Sequence, residues 1–111
     1  MHAFEVLGDP VRRRILELLA KREHASGEVV EVISREFAIT QSAVSQQLKV
    51  LRESGFATVR ADRTRRIYAV QADPLSEVDT WLDRFRHFWD HPLDALSTEI
   101  ARGKRGRKRR R

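Results

Sequence analysis

Within the stretch TQSAVSQQLKVLRESG (Thr40–Gly55), Gln41, Ser42, Ser45, Gln46, Lys49 and Arg52 fill the positions between apolar Val44, Leu48 and Leu51. The apolar steps of four and three turn one helix face inward and leave amides, hydroxyls and cations on the other. These groups suit the reading of base edges. Gln pairs bidentately with adenine, Ser donates or accepts at any base, and Lys or Arg neutralises a phosphate or reaches guanine. Four more cations follow at Arg60, Arg63, Arg65 and Arg66, of a type that binds phosphates or a narrow minor groove. Strand alternation cannot put all four on one face. Arg63 and Arg65, nearest the tip of a hairpin, are the leading contacts, and Arg66 is the one expected to pair with an acidic neighbour. The competing reading of both groups is a solvated, charged surface.

Other chemistry is sparse. Asp83, His87 and His91 fall at i, i+4 and i+8, which on a helix would share a face, as a zinc or nickel site needs. Pro92 follows His91 directly, and a solvated histidine face is the preferred reading, so no metal or other cofactor is assigned. The absence of Cys removes disulfides, thiolate metal sites and thiol redox sensing. With no phosphate loop and no His–carboxylate cluster near the polar helix, no enzymatic activity is expected.

Charge is distributed unevenly. The total is +6, but residues 1–39 sum to −1, 40–72 to +4, 73–101 to −5 and 102–111 to +8. The only basic segment of the body therefore contains the polar helix and the arginine group, and the global basicity belongs to the tail RGKRGRKRRR. That tail has no apolar residue and is not expected to fold alone. No apolar run approaches the roughly 20 residues of a membrane span, and the first residues lack a secretory pattern; a cytoplasmic location is expected.

The elements that must position these residues read as follows. Ala3–Leu7 forms a short helix ended by GDP. Asp9 caps a second helix with Pro10 at its first position and Val11, Ile15, Leu18 and Leu19 inward, running to about Lys21. REHASG breaks the pattern, and Ser26 caps a third helix whose inner face is Val29, Val32, Ile33 and Phe37. Thr40 caps the polar helix, which stops at Ser54-Gly55. FATVRADRTRRIYAV then alternates as two strands joined across Asp62 to Arg65. From Asp73-Pro74 a helix resumes, with Leu75, Val78, Trp81, Leu82, Phe85, Phe88 and Trp89 along one stripe, and Pro92 kinks or ends it. We read Trp81, Phe85, Phe88 and Trp89, with Ala3, Phe4 and Leu7 of the first helix, as a dimer interface. Residues 1–101 are expected to form one domain and 102–111 a flexible arm.

Three segments together carry a family resemblance. LGDPVRRRILELL, TQSAVSQQLKVLRESGFATVRAD and TRRIYAV resemble the matching parts of ArsR/SmtB-type bacterial repressors, which read D-P-x-R-x-x-I-L-x-x-L and S-x-S-x-V-S-x-H-L-K-x-L-x-x-A-G-L-V before an Arg-rich wing. The likeness covers about residues 4–72, and WLDRFRHFW is similar to the last helix of a Cys-poor branch. It implies a mainly α winged helix-turn-helix with a small β-hairpin wing, a homodimer held by N- and C-terminal helices, and repression through a pseudo-palindromic operator in double-stranded DNA. Thr40, Gln41, Ser42, Ser45, Gln46 and Lys49 would meet the groove, and Arg60, Arg63, Arg65 and Arg66 the backbone. The family's thiolate metal box would fall at GEVVEVI and is missing here. Departures are Gln47 in place of His, read as packing and hydrogen-bonding locally; Ala38 in place of a turn Gly, read as a changed turn geometry; and a wing turn Arg63-Thr64 without Gly, read as a longer or looser loop. The alternatives are a sequence-independent nucleic-acid or protein-interaction module using tail and aromatic helix, and a derepressor responding to metal through Asp83, His87 and His91. The sequence names no inducer.

Overall fold

The computed structural model describes residues 2–89. Their elements, in order, are α1 (Ala3–Leu7), α2 (Pro10–Lys21), β1 (His24–Ala25), α3 (Ser26–Phe37), α4 (Gln41–Glu53), β2 (Ala57–Asp62), β3 (Arg65–Val70) and α5 (Asp73–Leu82), followed by a 3-10 turn at Asp83–Phe88. The strands form one antiparallel sheet in the order β1-β3-β2. The chain divides into two units after Val78, and the core belongs to the first. Val6, Ile15, Val29, Ile33, Val44 and Leu51 are wholly buried with Phe56; each such side chain contributes about 1.5–3 kcal/mol of burial free energy. Helices α1 to α4 and the sheet thus close on a single cluster.

Of the three helix caps the sequence signals, two form as expected and one does not. Asp9 Oδ1 accepts from the backbone N–H of Val11 at 2.8 Å and of Arg12 at 3.1 Å, and Thr40 Oγ1 accepts from Ala43 N at 3.1 Å. Ser26 does not cap α3. It is the first helical residue, because the Glu28 carboxylate reaches back to accept from Ala25 N at 2.9 Å and makes Ala25 the boundary. That bond, foremost, holds the Glu28 carboxyl below the usual carboxylate range. A depressed pKa makes the tether fully present above the ordinary carboxylate value and lost only as pH falls through the lowered one.

Arg12 joins three elements. Its Nε donates to Val6 O at 2.9 Å and its Nη2 to Glu5 O at 3.0 Å, satisfying carbonyls at the end of α1. Its Nη1 donates to Gln47 Oε1 of α4 at 2.7 Å and lies 3.7 Å from Asp9 Oδ2. Gln47 Nε2 in turn donates to Asp9 Oδ2 at 3.5 Å. Gln47 therefore faces inward, but its partners lie 35 and 38 residues away rather than nearby. With only 12% of the Arg12 side chain exposed, these bonds are shielded from water and worth more than surface pairs.

Two turns differ from expectation. Ala38 keeps the left-handed conformation usually given to Gly, at φ 55° and ψ 46°, and Ile39 N donates to Ser34 O at 3.1 Å. Strain of about 1–2 kcal/mol is accepted because the chain must reverse there for Val44, Leu48 and Leu51 to join Val29 and Ile33 in the core. The wing turn is a tight two-residue connection, with Asp62 paired to Arg65. Arg63 takes φ 60° at its first position, as primed hairpin turns allow, so the missing Gly did not lengthen the loop. Where the sequence pattern breaks at REHASG the structure has β1: His24 opposes Tyr68 and Ala25 opposes Ile67, and two residues are too few to show alternation.

Nor does one α-helix carry the aromatic stripe. α5 ends at Leu82, and the 3-10 turn that follows stacks i on i+3, the spacing of the Asp83–Arg86 pair at 2.7 Å. Arg86 is also bonded to Asp79. His91, Pro92 and the tail lie outside the described residues.

Two substitutions test this reading. Ala38→Gly should raise stability by up to about 1 kcal/mol in urea denaturation, the relief of strain exceeding the added chain entropy; loss of stability would contradict it. Arg12→Ala should cost about 2–4 kcal/mol, beyond any exposed pair, and an effect under about 0.5 kcal/mol would show that the three elements are held otherwise.

Candidate nucleic-acid interface

Helix α4 presents two opposed faces. Val44, Leu48 and Leu51 are buried, and Gln47 is tied down by Arg12. Gln41, Ser42, Ser45, Gln46 and Lys49 are all exposed and, at about 100° per residue, occupy an arc of roughly 140°. Ser42 Oγ lies 3.2 Å from Thr40 Oγ1. Among the described residues, the side chains of Gln41, Ser45, Gln46 and Lys49 have no hydrogen-bond or ion-pair partner. The conformations of amides and hydroxyls left in this way are set by the helix alone, and their bonding capacity is free for a ligand. Thr40 is different: its hydroxyl is committed to the cap.

The turn Ala38–Thr40 hands the chain from α3 to α4, so the exposed arc begins at the first turn of α4, where a recognition helix enters a groove. Arg14 Nε donates to Glu36 Oε2 at 2.7 Å, linking α2 to α3.

On the wing, register sorts the arginines. Arg60 opposes Ile67 and Asp62 opposes Arg65, placing both arginines on one face; Ala61 opposes Arg66 on the other. Arg60 is paired with Glu23, and Arg65 Nη2 lies 3.7 Å from Glu28 Oε1. The acidic neighbour expected for Arg66 is found at Arg60 and Arg65 instead, while Arg63 and Arg66 have no such partner among the described residues. Glu23 and Glu28 carried no signal in the sequence, because both reach the wing only through the fold.

The remaining candidates are dispersed, and Ala3 is not a surface group but part of the core. Phe4, Trp81, Phe88 and Trp89 are large apolar groups exposed at 41%, 41%, 69% and 47%; Leu7 and Phe85 are half-buried. The Trp81 and Phe85 rings lie 4.7 Å apart. Asp83 is engaged by Arg86, and the His87 and Phe88 rings are tilted at 38° with centroids 4.0 Å apart. In the 3-10 geometry four residues turn about 120° off register, so Asp83 and His87 do not share a face. Among the described residues, no group of three or more His, Cys, Asp or Glu could hold a metal ion, and no helix is long and apolar enough to cross a membrane.

This arrangement agrees with known proteins. The sequence model described as bacterial regulatory protein, arsR family, matches residues 9–59, from the α2 cap into β2. The HTH-type transcriptional regulator Rv2034 of Mycobacterium tuberculosis is 39% identical over 98 residues, covering 88% of this chain and 85% of that protein. Two further curated relatives are 39% identical over 75 residues, and the match spans 63% of their length. A crystal structure of a possible transcriptional regulator for arsenical resistance is 32% identical, covers 89% of this chain and 96% of that one, and superposes with a TM-score of 0.62. The fold is also that of a homodimeric winged helix-turn-helix DNA-binding domain from Mycobacterium bovis, 23% identical with a TM-score of 0.54 over 81% of this chain and 78% of that one. With its D-P-x-R cap, its α3–turn–α4 pair and its hairpin wing closed by a two-residue turn, the chain belongs to the ArsR family of winged helix-turn-helix transcriptional regulators.

Proposed function

We infer that the protein is a homodimeric repressor acting in the cytoplasm on a pseudo-palindromic operator near its own gene, with α4 of each protomer in successive major grooves. The observation that carries this reading is the row Gln41, Ser45, Gln46 and Lys49, exposed and without internal partners on a helix whose opposite face is buried. An amide there finds adenine N6 and N7, and Lys49 a phosphate or guanine. Half-sites then lie about one helical turn, 10–10.5 bp, apart or at a multiple of it. Wing arginines add contacts to the backbone or minor groove. Phe4, Leu7, Trp81, Phe85, Phe88 and Trp89 are assigned to the dimer interface, a reading supported by the exposure of four of these large apolar groups, Phe4, Trp81, Phe88 and Trp89. The basic tail at 102–111 supplies further phosphate contact without sequence preference.

Footprinting on DNA upstream of the gene, with scrambled competitor, tests the repressor reading; equal affinity for both duplexes would favour a sequence-independent module. Within a footprinted site, Gln46→Ala should cost about 1–3 kcal/mol of discrimination at one base position while leaving random-duplex affinity unchanged. Sedimentation should show that Trp81→Ala weakens dimerisation, with operator affinity falling alongside; an unaffected dimer would remove Trp81 from the interface.

A further inference from the structure

We propose that the wing arginines divide their work: Arg60 and Arg65 brace the wing against Glu23 and Glu28, and Arg63 and Arg66 alone engage phosphate. This rests on the reading of the hairpin as a DNA-binding wing. Glu23 and Glu28 thereby become positioning residues for DNA binding, although neither touches DNA.

Three observations carry the division. First, register puts Arg60 and Arg65 on one sheet face with Ile67, and Arg66 on the other with Ala61. Second, both arginines on the first face are held by carboxylates from outside the hairpin, Glu23 just before β1 and Glu28 in the first turn of α3. The cleft between them is lined by Arg22, Arg60 and Arg65 and by Glu23, Glu28 and Asp62, three charges of each sign. That face is electrically balanced and gives little attraction to a polyanion. Third, Arg66 borders Val59 and Ala61 on one side and the cleft of Glu28 and Arg65 on the other, and Arg63 stands in the turn; neither makes an ion pair with an acidic residue among the described residues. The wing charge without an ion-pair partner among the described residues is therefore that of Arg63 and Arg66.

The magnitudes suit a brace. Exposed pairs of this kind are weak, too weak to fold the hairpin but enough to narrow the poses of its outer end, since the inner residues Ala57 and Tyr68 are already held in the core and β3 is paired with β1. A wing held in one pose loses less entropy on DNA than a free one. Glu28 anchors twice, since the oxygen near Arg65 also accepts from Ala25 N.

Salt dependence separates the roles, because losing a phosphate contact lowers the slope of log affinity against log salt and losing a brace does not. With a labelled random-sequence duplex, Arg63→Gln and Arg66→Gln should each lower the slope by about 0.9 per contact, twice that for a dimer engaging both wings. Arg60→Gln and Arg65→Gln should weaken binding by about two- to fivefold with the slope unchanged. Glu23→Gln should reproduce the loss of Arg60→Gln, and the charge-exchanged pair Glu23→Arg with Arg60→Glu should restore affinity. Slope loss at Arg60 or Arg65 equal to that at Arg66, or tighter binding by Glu23→Gln, overturns the division while leaving the wing on DNA. If none of the four arginine variants alters affinity or slope, contact through the wing is itself overturned.

Discussion

The Arg12 guanidinium holds the structure in register. Five donors in a fixed plane reach two carbonyls at the end of α1, the carboxylate that caps α2 and the amide of Gln47 in the middle of α4. The sequence run Asp9-Pro10-Val11-Arg12 supplies this device in four residues: Asp9 starts the helix, Pro10 needs no donor, and Arg12 falls one turn in, beside the cap. Because the far end of the bond is on α4, the rotation of that helix about its own axis is set by a polar contact as well as by apolar packing. Apolar side chains tolerate small rotations; a 2.7 Å bond to an amide oxygen does not.

From that constraint the exposed face follows. Once Gln47 is turned inward with Val44, Leu48 and Leu51, the residues at 41, 42, 45, 46 and 49 have nowhere to go but outward. The left-handed Ala38 serves the same end, since it sets where α3 stops and where α4 begins. Strain at one residue is sustained by burial of several, a balance seen where a fold over-determines a turn. The sheet then places the hairpin beyond the helix pair, with two acidic side chains of the body, Glu23 and Glu28, in contact with its arginines.

Much of this was legible in the chain. Periodicity located α2, α3 and α4 to within a residue or two, and the inward placement of Gln47 was visible from its neighbours at 44, 48 and 51. What was hidden depends on contacts distant in sequence or on conformational cost. No local pattern shows that Gln47 meets Arg12 and Asp9, that Glu28 rather than Ser26 secures the start of α3, or that His24 and Ala25 add a strand to the edge of β3. At Ala38 and Arg63 the propensity argument pointed to altered turns, and tertiary packing and strand pairing prevailed over about 1–2 kcal/mol of local strain. The aromatic stripe misled for another reason: apolar spacing is nearly the same for 3.6 and 3.0 residues per turn over so short a segment, and the ion pairs of Arg86 accompany the tighter winding.

The central claim is that α4 reads bases with amides that the fold leaves unpartnered while it occupies a third amide internally. Side-chain amide resonances of the glutamines, followed by NMR as an upstream operator duplex is added, test it most directly. The account predicts that Gln41 and Gln46 shift strongly with operator and far less with a scrambled duplex, while Gln47 keeps its resonance and its protection from exchange. Equal shifts with both duplexes, or a response at Gln47 with Gln41 and Gln46 silent, would contradict it.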